Sequence, residues 1–130
     1  MKLNHYHFEI FCYECSYWIK FFGIYDYRIS YFLIDDKNDK GLAGCKEHSD
    51  QGSKVFQIYL YKNGWKNDKP TKRMLRETAF HEVMEILMYG MREHLPQCNA
   101  DWYIHTHIRI MENTVFKESY FRRYKEKEIT

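Results

Sequence analysis

The chain has 130 residues, a net charge of +2 and 29% charged residues; that length suffices to bury one core and is read as a single domain over residues 1–130. The charge balance describes a mixed surface and not the basic stripe of a nucleic-acid binder. No window approaches the roughly 18 apolar residues of a membrane span, and the segment after Met1 to His7 is too interrupted for a secretory leader, so the expected location is the cytoplasm, with no membrane partner.

The first expected element is a helix from about His5 to Phe22, because Phe8, Phe11, Cys12, Cys15, Trp18, Ile19 and Phe22 recur on one helical face. Gly23 stands where a left-handed cap is favoured. A strand follows, in which Tyr27, Ile29, Tyr31 and Leu33 alternate with Arg28, Ser30 and Phe32, before the turn cluster from Asp35 to Gly41. A short second strand is expected around Leu42 to Lys46, then a polar segment from Glu47 to Lys54. Val55 to Lys62 is the clearest strand, with Phe56, Ile58 and Leu60 on one face. A helix from about Lys72 to Arg92 starts at Thr71 as N-cap, just after Pro70. The last helix runs from Ala100 to about Tyr124, started by Asn99 or Asp101, with Ile104, Ile108, Met111 and Val115 as its apolar stripe. The pattern is that of an α+β protein with a small three-stranded sheet.

The helix after Pro70 carries the most informative run, Thr78-Ala79-Phe80-His81-Glu82-Val83-Met84-Glu85-Ile86-Leu87-Met88. Three ionisable side chains stand in a segment that is otherwise apolar on all sides. Such a helix is normally buried, and burying unpaired charges costs several kcal/mol, so these groups need a partner. His81 and Glu85 are four residues apart and share one face, with Cβ atoms roughly 5 to 6 Å apart, so that a metal ion fits between them. Glu82 is turned by about 100° around the axis, where it reaches a water on that metal without ligating it. The pattern reads HExxE. His-Glu-x-x-His on a helix supplies two zinc ligands and a general base to metallopeptidases, and here Glu85 replaces the second histidine. Glutamate oxygen is an accepted zinc ligand.

A rival metal reading joins Cys12-x2-Cys15 with Cys45-x2-His48 as a Cys3His zinc site, a module that would bind nucleic acid with Arg122-Arg123 and the Lys125 to Glu128 tail as support. The helical period of Cys12 and Cys15 favours core positions instead, and the tail alternates in sign like a solvated helix end. Cys98 stands alone. In the last helix, His105, Ile108, Arg109 and Glu112 fall on adjoining positions, so His105 and Glu112 point broadly the same way, two turns apart, and either completes a site begun by His81 and Glu85.

Taken in order, these segments resemble the short metallopeptidase-like proteins of phages and prophages, a zincin-type family. The resemblance rests on Trp18-Ile19-Lys20-Phe21-Phe22-Gly23-Ile24-Tyr25-Asp26-Tyr27-Arg28-Ile29, on Gln57-Ile58-Tyr59-Leu60, and on Trp65. It continues through Glu77-Thr78-Ala79-Phe80-His81-Glu82-Val83 and closes on His105-Thr106-His107-Ile108-Arg109-Ile110-Met111-Glu112-Asn113. It implies a minimal zincin-like domain in the host cytoplasm. In it His81 and Glu85 are zinc ligands, Glu82 is the catalytic glutamate, and His105 is the better third ligand. Glu112 is an alternative ligand or orients one from outside, and His107, about 200° away from His105, lies on another face.

The expected activity is hydrolysis of a peptide bond in a peptide or protein substrate held extended along a strand edge, with Glu82 as general base on a zinc-activated water. The alternative is a catalytically inactive zincin-fold phage protein acting as a binding or regulatory factor. Its feature is Glu85, whose charge makes the metal less positive and raises the pKa of bound water.

Overall fold

The first helix, α1 (His5–Phe22), is closed at both ends by local chemistry. The Asn4 side chain accepts from the His7 backbone N–H at 3.2 Å, and the Asn4 backbone N–H donates to His7 Nδ1 at 3.0 Å. Two of the orphan donors of the first turn are thereby satisfied reciprocally. At the other end Gly23 sits at φ +66°, a left-handed conformation that costs any residue with a Cβ about 1–2 kcal/mol. Its N–H and that of Ile24 return to the carbonyls of Lys20 and Ile19.

A computed structural model describes residues 3–38, 41–50, 53–65, 70–89, 91 and 95–116. After α1 come β1 (Arg28–Ile34), β2 (Ala43–Asp50), β3 (Ser53–Tyr61), a 3-10 turn at Lys62–Trp65, α2 (Lys72–Leu87) and α3 (Ala100–Val115). The protein is α+β, as expected, with a mixed sheet. The chain divides into two compact units, Met1–Leu87 and Met88–Thr130, so that α3 belongs to the second. No helix among the described residues is long and apolar enough to cross a membrane.

Within the first unit β3 is the central strand, parallel to β1 and antiparallel to β2. Ile58 lies opposite Tyr31 on one side and Cys45 on the other. Because residues directly opposite share a face of the sheet, this register fixes which side chains look inward. Phe56, Ile58 and Leu60 are all buried, as their alternation predicts. Phe11, Cys15 and Trp18 of α1 and Leu75, Ala79, Phe80, Val83 and Ile86 of α2 are buried in the same unit. Trp18 and Phe80 contact edge to face at 4.9 Å between centroids, and Ser16 Oγ and Tyr31 Oη lie 3.2 Å apart, tying α1 to β1. Trp65 is buried too and donates its indole N–H to the Leu42 carbonyl at 3.1 Å.

Three boundaries differ from the sequence reading. The polar stretch expected between Glu47 and Lys54 is mostly strand: β2 continues to Asp50 and β3 begins at Ser53, because ladder pairing with an apolar neighbour outweighs low strand propensity. The helix expected to reach Arg92 ends at Leu87, and the Met91 N–H bonds the Met88 carbonyl at 3.0 Å, a tighter turn. In the second unit α3 ends at Val115, and its expected continuation to Tyr124 falls outside the described residues beyond Phe116. Of the expected stripe on α3, Ile104 and Ile108 are buried whereas Met111 and Val115 are partly exposed.

Candidate metal centre

Thr71 caps α2 as its position predicts, its hydroxyl accepting from the Met74 N–H at 3.2 Å. The helix then runs unbroken through the HExxE motif, so the four-residue spacing becomes a real juxtaposition: His81 Nε2 lies 4.0 Å from Glu85 Oε2. Their side chains keep 32% and 20% of their surface, which leaves this face open to an ion arriving from solvent. Ligand atoms of a tetrahedral zinc stand roughly 3.3 Å apart, a small side-chain rotation from the geometry present.

Glu82 is the inward member of the motif, only 4% exposed. Its Oε2 is buried and has no hydrogen-bond partner, and no Lys or Arg pairs with its carboxyl among the described residues. A second buried carboxylate shows what pairing looks like in this fold: Glu14 of α1, also buried, meets Arg76 Nε of α2 at 3.5 Å. Burial pushes the Glu82 carboxyl up to about 8, the negative charge of Glu85 adds to this, and His81 opposes it. A carboxyl in this state keeps its proton at neutral pH until a cation approaches.

The sheet contributes the fourth group. Cys45, opposite Ile58 and hence on the inner face of β2, points towards α2, and its Sγ lies 3.7 Å from Glu85 Oε2. Cys45 Sγ and carboxylate oxygens of Glu82 and Glu85 all fall within 4.8 Å of one another. Burial, then the two carboxylates, hold the Cys45 thiol far above its usual range. Without a metal it stays protonated and serves as a donor to Glu85.

In the second unit, α3 is continuous from Thr106 through Ile110, which keeps His105 and Glu112 two turns apart on one side. His105 Nδ1 lies 2.8 Å from the Asp101 carbonyl, a contact that presents Nε2 as the coordinating nitrogen in the corresponding tautomer. His107 makes the same contact with the Tyr103 carbonyl at 2.9 Å. The two histidines differ in burial: His105 and Glu112 are half-buried, His107 exposed.

The Cys3His arrangement is not among the metal-compatible groups of the described residues. Cys45 and His48 are three apart in a strand and therefore face opposite sides of the sheet, with His48 exposed beside Val55. Cys15 is wholly buried and Cys12 partly so, in keeping with the helical period, and burial raises the thiol of Cys12 to about 11 and that of Cys15 further. Arg122, Arg123 and the tail lie outside the described residues. The residue that sequence reasoning did not bring to α2 is Cys45, which it weighed only in the rival set with Cys12, Cys15 and His48. Its alternation with Ala43 and Glu47 against Gly44, Lys46 and His48 carries the signal, provided β2 is recognised as long enough to have faces. No family model matches the chain, and neither a curated protein nor a solved structure matches it.

Proposed function

We propose that α2 is a zinc-binding helix, with His81 Nε2 and a Glu85 oxygen as ligands, and that the chain is a zincin-like metallopeptidase of the phage type. The carrying observation is the approach of those two atoms to 4.0 Å on a half-open face, next to the buried Glu82 carboxyl, whose Oε2 has no hydrogen-bond partner. The donor set fits zinc, which takes imidazole nitrogen and carboxylate oxygen at about 2.0–2.2 Å. His105 of α3 is the proposed third ligand, favoured over the exposed His107, and Glu112 the residue that orients it or replaces it.

Bound zinc supplies Lewis acidity to a peptide carbonyl and lowers the pKa of an attacking water. Glu82 would accept the proton of that water and deliver it to the leaving amine, its raised proton affinity making the deprotonated carboxylate a stronger base than an ordinary glutamate. β1 and β2 are the outer strands of the sheet, and β2 is the one that carries Cys45 beside α2. An extended substrate pairing along β2 would bring its carbonyls to the ligand face.

A second reading, a zincin-fold protein without peptidase activity that acts as a binding or regulatory factor, is supported by the anionic Glu85 and by the depth of Glu82. One experiment separates them. Zinc content and cleavage of an unstructured peptide set are measured for the wild type, His81→Ala and Glu82→Gln. The peptidase reading expects zinc and cleavage in the wild type, less zinc than the wild type and no cleavage in His81→Ala, and zinc without cleavage in Glu82→Gln. Cleavage that survives Glu82→Gln removes Glu82 as the base; zinc without cleavage in the wild type supports the inactive reading.

A further inference from the structure

Hydrolysis has no use for Cys45, yet the fold delivers its sulfur to the inner side of the motif helix. We propose that the first unit holds a thiophilic divalent cation of the zinc class through Cys45 Sγ and the carboxylates of Glu82 and Glu85. The proposal rests on the reading of α2 as a metal-binding helix and differs in the ligand set, since it makes Glu82 a ligand.

Three observations carry it. The ligand atoms, drawn from two different elements, already lie within 4.8 Å of one another. Zinc–sulfur and zinc–oxygen bonds of about 2.3 and 2.0–2.2 Å require separations roughly 1 Å shorter, within reach of side-chain rotation. Their positions are not incidental: the pairing of Cys45 with Ile58 fixes the sulfur on the inner face, and the helical phase that buries Val83 and Ile86 carries Glu82 with them. Finally, Glu82 Oε2 is buried without a hydrogen-bond partner, whereas Glu14, another of the buried carboxylates, meets Arg76. An orphaned buried acceptor on a carboxyl that belongs to a cluster of ligand atoms is what a cation would satisfy.

The chemistry defines the ion. A thiolate favours zinc, cadmium and cobalt over magnesium and calcium, which prefer oxygen alone. On binding, the Cys45 S–H bond breaks, a sulfur–metal bond forms and the proton leaves to solvent, as does any proton held by the carboxyls; nothing is oxidised or reduced. Three anionic ligands on a doubly charged ion leave the centre negative, a poor activator of water and a strong holder of metal. The inner position therefore retains an ion, whereas the outer face of His81 and Glu85 would use one.

Cobalt(II) titration of the full chain, freed of metal with EDTA, tests this through the near-ultraviolet thiolate-to-cobalt charge-transfer absorption, which oxygen and nitrogen ligands do not produce. The expected result is a band saturating at one ion per chain, abolished by Cys45→Ser and retained in both His81→Ala and the combined Cys12→Ser, Cys15→Ser, Cys98→Ser variant. Glu82→Gln is expected to weaken cobalt binding by more than about 100-fold, beyond the 10- to 100-fold of a residue that only orients a ligand. Circular dichroism checks each fold, and if Cys45→Ser does not fold, the nearly isosteric Glu82→Gln decides. Cobalt bound without the band, a band that survives Cys45→Ser, or unchanged affinity in Glu82→Gln each overturns the proposal while leaving the His81 and Glu85 reading intact. No cobalt binding at all overturns both.

Discussion

Replacing Glu82 by glutamine should change how the metal-free protein's stability depends on pH, by an amount that follows from a single proton. The unfolded chain releases the Glu82 proton near the ordinary glutamate value of about 4.3, whereas burial and the Glu85 charge hold it in the folded protein up to about 8. Between these values the native state carries one proton more than the unfolded state, so stability falls as pH rises, at a limiting slope of about 1.4 kcal/mol per pH unit. Between about pH 5 and pH 7 the loss is roughly 3 kcal/mol, a substantial part of a small domain's stability of about 5–15 kcal/mol. Because Glu82 is 4% exposed, solvent screening does little to reduce this. Glutamine does not titrate, so Glu82→Gln loses this component of the slope and is more stable than the wild type above neutrality. Urea melts of both proteins in EDTA at several pH values measure it, and the wild-type-minus-mutant difference cancels the groups that do not interact with Glu82. Zinc should reverse the sign, since it binds the deprotonated carboxyl and its stabilisation grows with pH. Parallel stability profiles for the two proteins in EDTA would refute the reasoning, showing that the Glu82 carboxyl is not held protonated by its surroundings.

Ile58→Ala removes a wholly buried side chain from the central strand, where Tyr31 and Cys45 flank it, and should cost about 2–5 kcal/mol in urea denaturation. A loss below about 1 kcal/mol, closer to that of an exposed site, would contradict the sheet register. Gly23→Ala should cost about 1–2 kcal/mol from its left-handed backbone alone, because an added Cβ meets only Tyr25 at an ordinary 3.7 Å. A neutral or stabilising result would mean that α1 does not end in that conformation.

The ends of α1 were legible because the chemistry that ends a helix is local, and Gly23 needs no knowledge of the rest of the chain. The pairing of His81 with Glu85 was legible for the same reason, since helical geometry alone brings residues four apart together. The depth of Glu82 was not. With apolar residues on every side of it, the motif helix has no polar stripe to reveal which way it is rotated against the sheet, and only Phe80, Val83 and Ile86 packed in place show that Glu82 turns inward. The length of β2 was hidden by its composition, as Lys46, Glu47, His48 and Asp50 have little preference for strand and are held there by pairing with β3. From that followed the absence of Cys45 from the expected site, because a strand expected to end at Lys46 has no register by which to place Cys45 on the face of α2. Met111 and Val115 were assigned to a buried stripe by period alone, and period does not say how far along a helix its cover extends.

The mixed pairing of the sheet has a kinetic corollary. β2 and β3 are neighbours in sequence and join as a hairpin, an event of about 1–10 μs, whereas β1 can dock parallel to β3 only after the intervening chain has looped back. Cys45 rides on the fast hairpin, but its carboxylate neighbours belong to a helix nearly forty residues further along, by the count from Cys45 to Glu82. Neither piece alone contains the cluster. The sulfur and the carboxylates meet at the moment the hairpin docks on α2, so a cation that prefers all three would act as a latch on that late, non-local step, slowing the undocking of the sheet from the helix more than it speeds their meeting.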